Sequence, residues 1–107
     1  MEFEIKRYIK WFFQRITRGF DDRETWELFY TIAKFLIPRL KRFKEVNNGY
    51  PNRLTEQQWD EILDKMIEAF QLSIKEFENG DFIDKEEEEK IEHGLQLFSR
   101  YFLHLWW

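Results

Sequence analysis

The sequence predicts an all-α protein, a compact four-helix bundle-like domain spanning residues 1–107. Three observations lead there. Four stretches carry apolar residues at the i, i+3, i+4 and i+7 spacing of one helix face. Three of those stretches open on a capping box, and the breaks between stretches carry Gly, Asn or Pro. A chain of 107 residues is a usual size for one hydrophobic core, so a single domain is expected.

The first helix is expected over about residues 3–17, with Ile5, Tyr8, Ile9, Phe12 and Ile16 as its core stripe and Gly19 as its stop. The second is expected over 22–45. Asp21 and Glu24 form its capping box, and Phe29, Ile32, Ala33, Leu36, Leu40 and Phe43 its stripe. Pro38 lies inside this run, where it lacks a backbone N–H and collides with the Lys34 carbonyl, so the helix is expected to kink or break there. Asn47-Asn48-Gly49-Tyr50-Pro51-Asn52 reads as a loop. The third helix, 56–78, follows the Thr55–Gln58 capping box, with Leu54 and Trp59 placed as a hydrophobic staple. It carries the cleanest stripe, from Trp59 through Leu63, Met66 and Phe70 to Phe77, and stops at Asn79-Gly80. The fourth, 85–105, opens on the Asp84–Glu87 box and runs through Ile91, Leu95, Phe98, Phe102 and Leu105. Glu86 to Glu89 stand where the helix dipole favours negative charge.

Composition asks for more burial than one small bundle supplies. Twelve Phe, five Trp and four Tyr are present, and each buried ring removes roughly 150–250 Å² from water. Some rings are therefore expected to line a groove, a ligand site or a subunit interface. The ending Leu103-His104-Leu105-Trp106-Trp107 is the clearest case, because chain ends are normally polar. Tyr101, Leu105, Trp106 and Trp107 are expected to pack against another subunit, which implies a homo-oligomer.

Several chemistries are excluded or unsupported. Without cysteine there is no disulfide and no thiolate nucleophile or ligand. No run approaches the ~18–20 apolar residues of a membrane span, and the start lacks signal-peptide character. A cytoplasmic protein with no cofactor is expected. The four glycines are isolated, so no phosphate loop is formed, and neither Ser73 nor Ser99 sits in a nucleophile elbow. His93 and His104 lie eleven apart and would need Glu89 or Glu92 to complete a metal site; a surface or interface role suits them better.

Charge is divided unevenly. Residues 1–53 carry +5 and residues 54–107 carry −9, within a net charge of −4. A basic half can attract a small anion, or the acidic half of a second subunit. The basic residues are interleaved with rings. Arg7, Trp11, Arg15 and Arg18 share a face of the first helix, and Arg23, Trp26, Tyr30 and Lys34 share one of the second. Arg39, Lys41, Arg42 and Lys44 follow, then Arg53. Rings stack on bases and guanidinium groups grip phosphates, so Arg7, Trp11, Arg15, Arg18, Arg23, Trp26, Tyr30, Lys34, Arg39 and Arg42 are candidate ligand-binding residues. The plainer alternative makes Trp11, Trp26 and Tyr30 boundary core residues under basic stems. Extended nucleic acid fits poorly with an acidic second half and a pI near 5.3.

Two resemblances add to this. Glu24-Thr25-Trp26-Glu27 and Glu61-Ile62-Leu63-Asp64 resemble the ExxE…ExxD arrangement of all-α nucleoside triphosphate pyrophosphohydrolases of the MazG type. That resemblance implies Mg²⁺ held by Glu24, Glu27, Glu61 and Asp64. The second covers about half the chain. Asp22-Arg23-Glu24-Thr25-Trp26-Glu27-Leu28, Tyr30-Thr31-Ile32-Ala33-Lys34, Pro38-Arg39-Leu40-Lys41-Arg42-Phe43-Lys44-Glu45, Gly49-Tyr50-Pro51 and Trp59-Asp60-Glu61-Ile62-Leu63-Asp64-Lys65-Met66-Ile67 resemble small uncharacterised proteins of tailed bacteriophages. It implies a phage accessory protein in an infected bacterial cell. By analogy such proteins block host defence, either by sequestering a nucleotide immune signal or by binding a host defence enzyme. The basic–aromatic faces make a non-enzymatic nucleotide sponge the first expectation, a protein–protein antagonist the second and the pyrophosphohydrolase the third.

Overall fold

The computed structural model describes residues 2–106, with side chains from Glu4 onward. The protein is all-α: 79% of the described residues are helical, and no strand occurs among them. Four long helices carry the fold, α1 (Glu2–Arg18), α3 (Leu28–Val46), α4 (Glu56–Ser73) and α6 (Lys85–Tyr101). Two short ones, α2 (Arg23–Trp26) and α5 (Lys75–Asn79), and a closing 3-10 turn, Phe102–His104, complete it.

The expected second helix is in fact two. Its interruption is at Glu27, whose φ of −119° and ψ of 65° leave the helical region. Pro38, by contrast, lies within α3, which continues on both sides of it. The bond that proline cannot make is one among many in a long helix, and next to it Arg39 Nη1 donates to the Phe35 carbonyl at 2.9 Å. The expected third helix also divides. At Ile74, φ −104° and ψ 0°, α4 gives way to α5, which ends on Gly80 in the left-handed conformation that glycine adopts without steric cost. The fourth helix stops at Tyr101 and tightens into the 3-10 turn instead of reaching Leu105.

Two capping boxes form in full. Thr55 accepts from the Gln58 N–H while the Gln58 side chain accepts from the Thr55 N–H, and Asp84 and Glu87 do the same. Thr55→Ala should therefore lower stability by about 1 kcal/mol, read as a shift of the urea midpoint; an unchanged midpoint would show that α4 does not depend on its cap. The third box forms by half. Glu24 accepts from the Asp21 N–H at 2.7 Å, but the Asp21 carboxylate turns to Arg23 instead of the Glu24 N–H.

The chain divides into two compact units, Met1–Thr31 and Ile32–Trp107. The core of the second lies on α4, where Trp59, Leu63, Met66, Ile67, Ala69 and Phe70 are buried. Ala33 and Leu40 of α3 and Ile74 are buried in the same unit. α4 packs along α6, with Phe70 edge-on to Phe98 at 5.3 Å and Trp59 edge-on to Tyr101 at 5.6 Å. Gly94 makes that approach possible: a Cβ at this position would stand 2.6 Å from the Lys65 carbonyl oxygen and run into the Ala69 side chain. Ion pairs join the helices at their rims, Lys44 to Asp64 at 2.7 Å, Lys75 to Glu87 at 2.7 Å and Lys90 to Glu68 at 3.7 Å.

In the first unit the expected inside and outside of α1 are exchanged. Trp11 is the buried residue, meeting Trp26 of α2 edge-on at 5.9 Å. Ile5, Tyr8, Ile9, Phe12 and Ile16, expected as a core stripe, are all more than half exposed. The face of α1 that the fold uses bears Trp11 among Arg7, Gln14, Arg15 and Arg18, and the apolar stripe is the exposed one.

Candidate binding surfaces

The basic–aromatic residues of α1 and α2 do come together, around Trp11 and Asp21. The Arg23 guanidinium lies 4.1 Å from the Trp11 ring centre and that of Arg7 lies 5.9 Å away. Tyr8 meets the same ring edge-on at 5.3 Å. Asp21 is fully buried, at 0% exposure. Its carboxylate accepts from Arg15 Nε at 2.9 Å, from Arg23 Nη2 at 2.9 Å and from the Arg23 backbone N–H at 2.9 Å. Asp22 is held likewise. It accepts from Arg18 Nη2 at 2.6 Å and from the Gln14 amide at 2.8 Å, while its own N–H donates to the Gln14 carbonyl oxygen at 2.8 Å. Gly19 makes the turn between α1 and these aspartates, with φ 85° and its N–H on the Arg15 carbonyl.

Electrostatics follow from this geometry. The hydrogen bonds from Arg23, aided by Arg15 and opposed by burial, hold the Asp21 carboxyl at about 2, below its ordinary 3.8. Asp22 is lowered by Gln14 and Arg18, and Arg23 is raised by Asp21. Three arginines expected to hold phosphate thus already hold carboxylates. Arg18 also lies 4.5 Å over the Phe20 ring. Trp26 is largely exposed and Tyr30 half-buried.

The remaining basic candidates lie along α3 in the second unit. Lys34 pairs with Glu78 at 3.3 Å, Arg39 stacks 3.7 Å over Phe35, and Arg42 pairs with Glu45 at 3.1 Å. Each has a local use for its charge.

Among the described residues no three His, Asp or Glu side chains gather to hold a metal ion. Glu24 caps Asp21, Glu61 accepts from Gln57 at 3.4 Å, and Asp64 pairs with Lys44. Of the acids expected to hold Mg²⁺, Glu24 and Glu27 lie in the first unit and Glu61 and Asp64 in the second. That no such group gathers among the described residues holds for His93, His104, Glu89 and Glu92 as well.

At the C-terminal end, Tyr101 is half-buried between Trp59 and His104. Leu105 is half-buried as well, and Trp106 is 74% exposed. Trp107 lies outside the described residues. The surface that sequence reasoning missed is the outer face of α1, where Ile5, Ile9, Phe12, Phe13 and Ile16 stand open. Its signal is present in the helical spacing, which marks an apolar face without saying what covers it.

No helix is long and apolar enough to cross a membrane among the described residues. No family model matches the chain, and neither a curated protein nor a solved structure shows significant similarity to it.

Proposed function

We propose that this chain is a non-enzymatic protein-binding module that docks the outer face of α1 onto an apolar groove of another protein. The observation that carries this is the open stripe of Ile5, Ile9, Phe12, Phe13 and Ile16, with Phe12 61% and Ile16 64% exposed. An apolar helix face of this spacing is the form in which helix-in-groove recognition is made, and contiguous exposed apolar surface marks interaction sites. Lys6 borders the stripe, so the matching groove carries a carboxylate on its rim. In the phage setting that the sequence resembles, such a module would block a host protein by occupying it.

Capture of a nucleotide draws less support. A phosphate arriving at Arg15, Arg18 or Arg23 has to displace the Asp21 or Asp22 carboxylate, which already takes up the guanidinium geometry. Displacing Asp21 would leave a buried charge without its partners.

The test compares wild type with Phe12→Glu and Ile16→Lys by pull-down from bacterial lysate and by sedimentation velocity. Each substitution should weaken the complex about 30-fold or more, as for a central apolar anchor, while helix content by circular dichroism stays the same. Sedimentation distinguishes a second copy of this chain from a foreign partner. A wild-type chain that neither self-associates nor retains a partner lost by both variants would overturn the proposal.

A further inference from the structure

The second unit contains a cleft unrelated to the α1 face. It has a volume of about 370 Å³ and lies between the 47–51 loop, Trp59, His104 and Trp106. That is within the range of small-molecule sites and large enough for a fused two-ring ligand. Its walls are made by Tyr50, Pro51, Trp59, His104 and Trp106, so most of what a ligand would meet is ring surface. Among the described residues no Lys, Arg, Asp or Glu lines it. A phosphate or carboxylate would find no countercharge there, and the part of the ligand that enters is uncharged.

Trp59 supplies the polar handle. It is 1% exposed, and its indole donates to no described residue; its ring contact is Tyr101. Yet no fully buried side-chain nitrogen or oxygen is left without a partner among the described residues. The sliver of Trp59 that remains open is therefore at its N–H. A buried indole N–H normally finds an acceptor, and Trp59 is among the residues that line the cleft. The loop opposite is held in shape by Asn47, whose side-chain amide donates to the Gly49 carbonyl. The neighbouring Asn48 side chain, which is exposed, leaves a second amide at the cleft.

We infer that this cleft binds an uncharged planar heteroaromatic ring of purine size, stacked on Trp106 and Tyr50 and accepting a hydrogen bond from Trp59 Nε1. Rings of this kind have a face for the aromatic walls and an edge nitrogen or carbonyl for the indole donor. The site goes beyond the protein-binding reading and does not depend on it.

The experiment is a titration of ¹⁵N-labelled protein with adenosine, and separately with indole, a ring of similar size without an acceptor. The tryptophan Nε1–H signals are followed, and that of Trp59 is assigned by its loss in Trp59→Phe. Adenosine should move the Trp59 signal saturably, and indole should bind more weakly. Trp106→Ala, at an exposed position that folding does not require, should weaken adenosine by about tenfold, the effect of losing one stacking platform. A Trp59 signal unmoved by adenosine would overturn the inference. So would equal binding of indole, or undiminished binding to Trp106→Ala.

Discussion

Gly94→Ala is expected to destabilise the protein by about 2–3 kcal/mol, the scale of an extra methyl forced into a packed interior. On an open helix the same change would add roughly 1 kcal/mol of stability, because glycine is a poor helix former. Here the new Cβ has no room. It would stand 2.6 Å from the Lys65 carbonyl oxygen, which is backbone, and would overlap the Ala69 side chain. Neither can yield without α4 and α6 moving apart, and that pair of helices carries the buried Trp59, Leu63, Met66 and Phe70. Urea denaturation reads the effect as a lower midpoint at unchanged slope. Gly49→Ala is the control, since nothing lies within 4 Å of a Cβ there. A Gly94→Ala midpoint equal to or above wild type would mean that the helices are not in this contact.

Asp21→Asn is expected to release the first unit from its folded arrangement. Asparagine has nearly the same shape, but it cannot accept from two guanidinium groups with a full negative charge. Arg15 and Arg23 would lose their common partner, and Trp11 the arginine that Asp21 holds over its ring. Amide exchange over residues 4–26 should rise to that of open chain, and the near-ultraviolet signal of Trp11 should fall. Preserved protection in the variant would remove Asp21 as the organiser of this unit. Acid should reproduce the effect in wild type. The Asp21 carboxyl sits at about 2 when folded and at 3.8 ordinarily, so its stabilisation is complete above about pH 4. As pH falls from there, the unfolded chain takes up the proton first, and the contribution shrinks until it is gone near pH 2. Asp22 and Glu87 are lowered too and add to the same loss. Asp21→Asn should therefore show a smaller change over that interval than wild type.

The elements that were legible in the sequence were those governed by their own residues. The Thr55–Gln58 and Asp84–Glu87 boxes, the glycine stop after Asn79 and the long stripe of α4 all need only neighbours a few positions away. Breaks at Glu27 and Ile74 were not legible, because neither residue type disfavours helix strongly enough to announce a change of direction. Pro38 did announce one, and the surrounding helix accommodates it.

The candidate site was legible only in part, since Lys34, Arg39 and Arg42 lie along α3 in the second unit with partners of their own. Arg15, Arg18, Arg23, Trp11 and Trp26 do share one neighbourhood, as their spacing implied. Whether those cations were free or already matched depended on Asp21 and Asp22, which lie 6 and 4 residues beyond Arg15 and Arg18 and on a different element. Sequence spacing does not report a hydrogen bond made across a turn.

By itself, then, the sequence determined that this protein is all-α, roughly where its four long helices lie and how two of them start. Those properties are local, arising from periodicity and capping within a turn or two. Only the tertiary structure decided which face of α1 is inside. One face is an apolar stripe and the other a single tryptophan among arginines, and periodicity marks a stripe without saying what covers it. Trp11 lies on the side where Asp21 accepts from both Arg15 and Arg23, a set of contacts made across a turn.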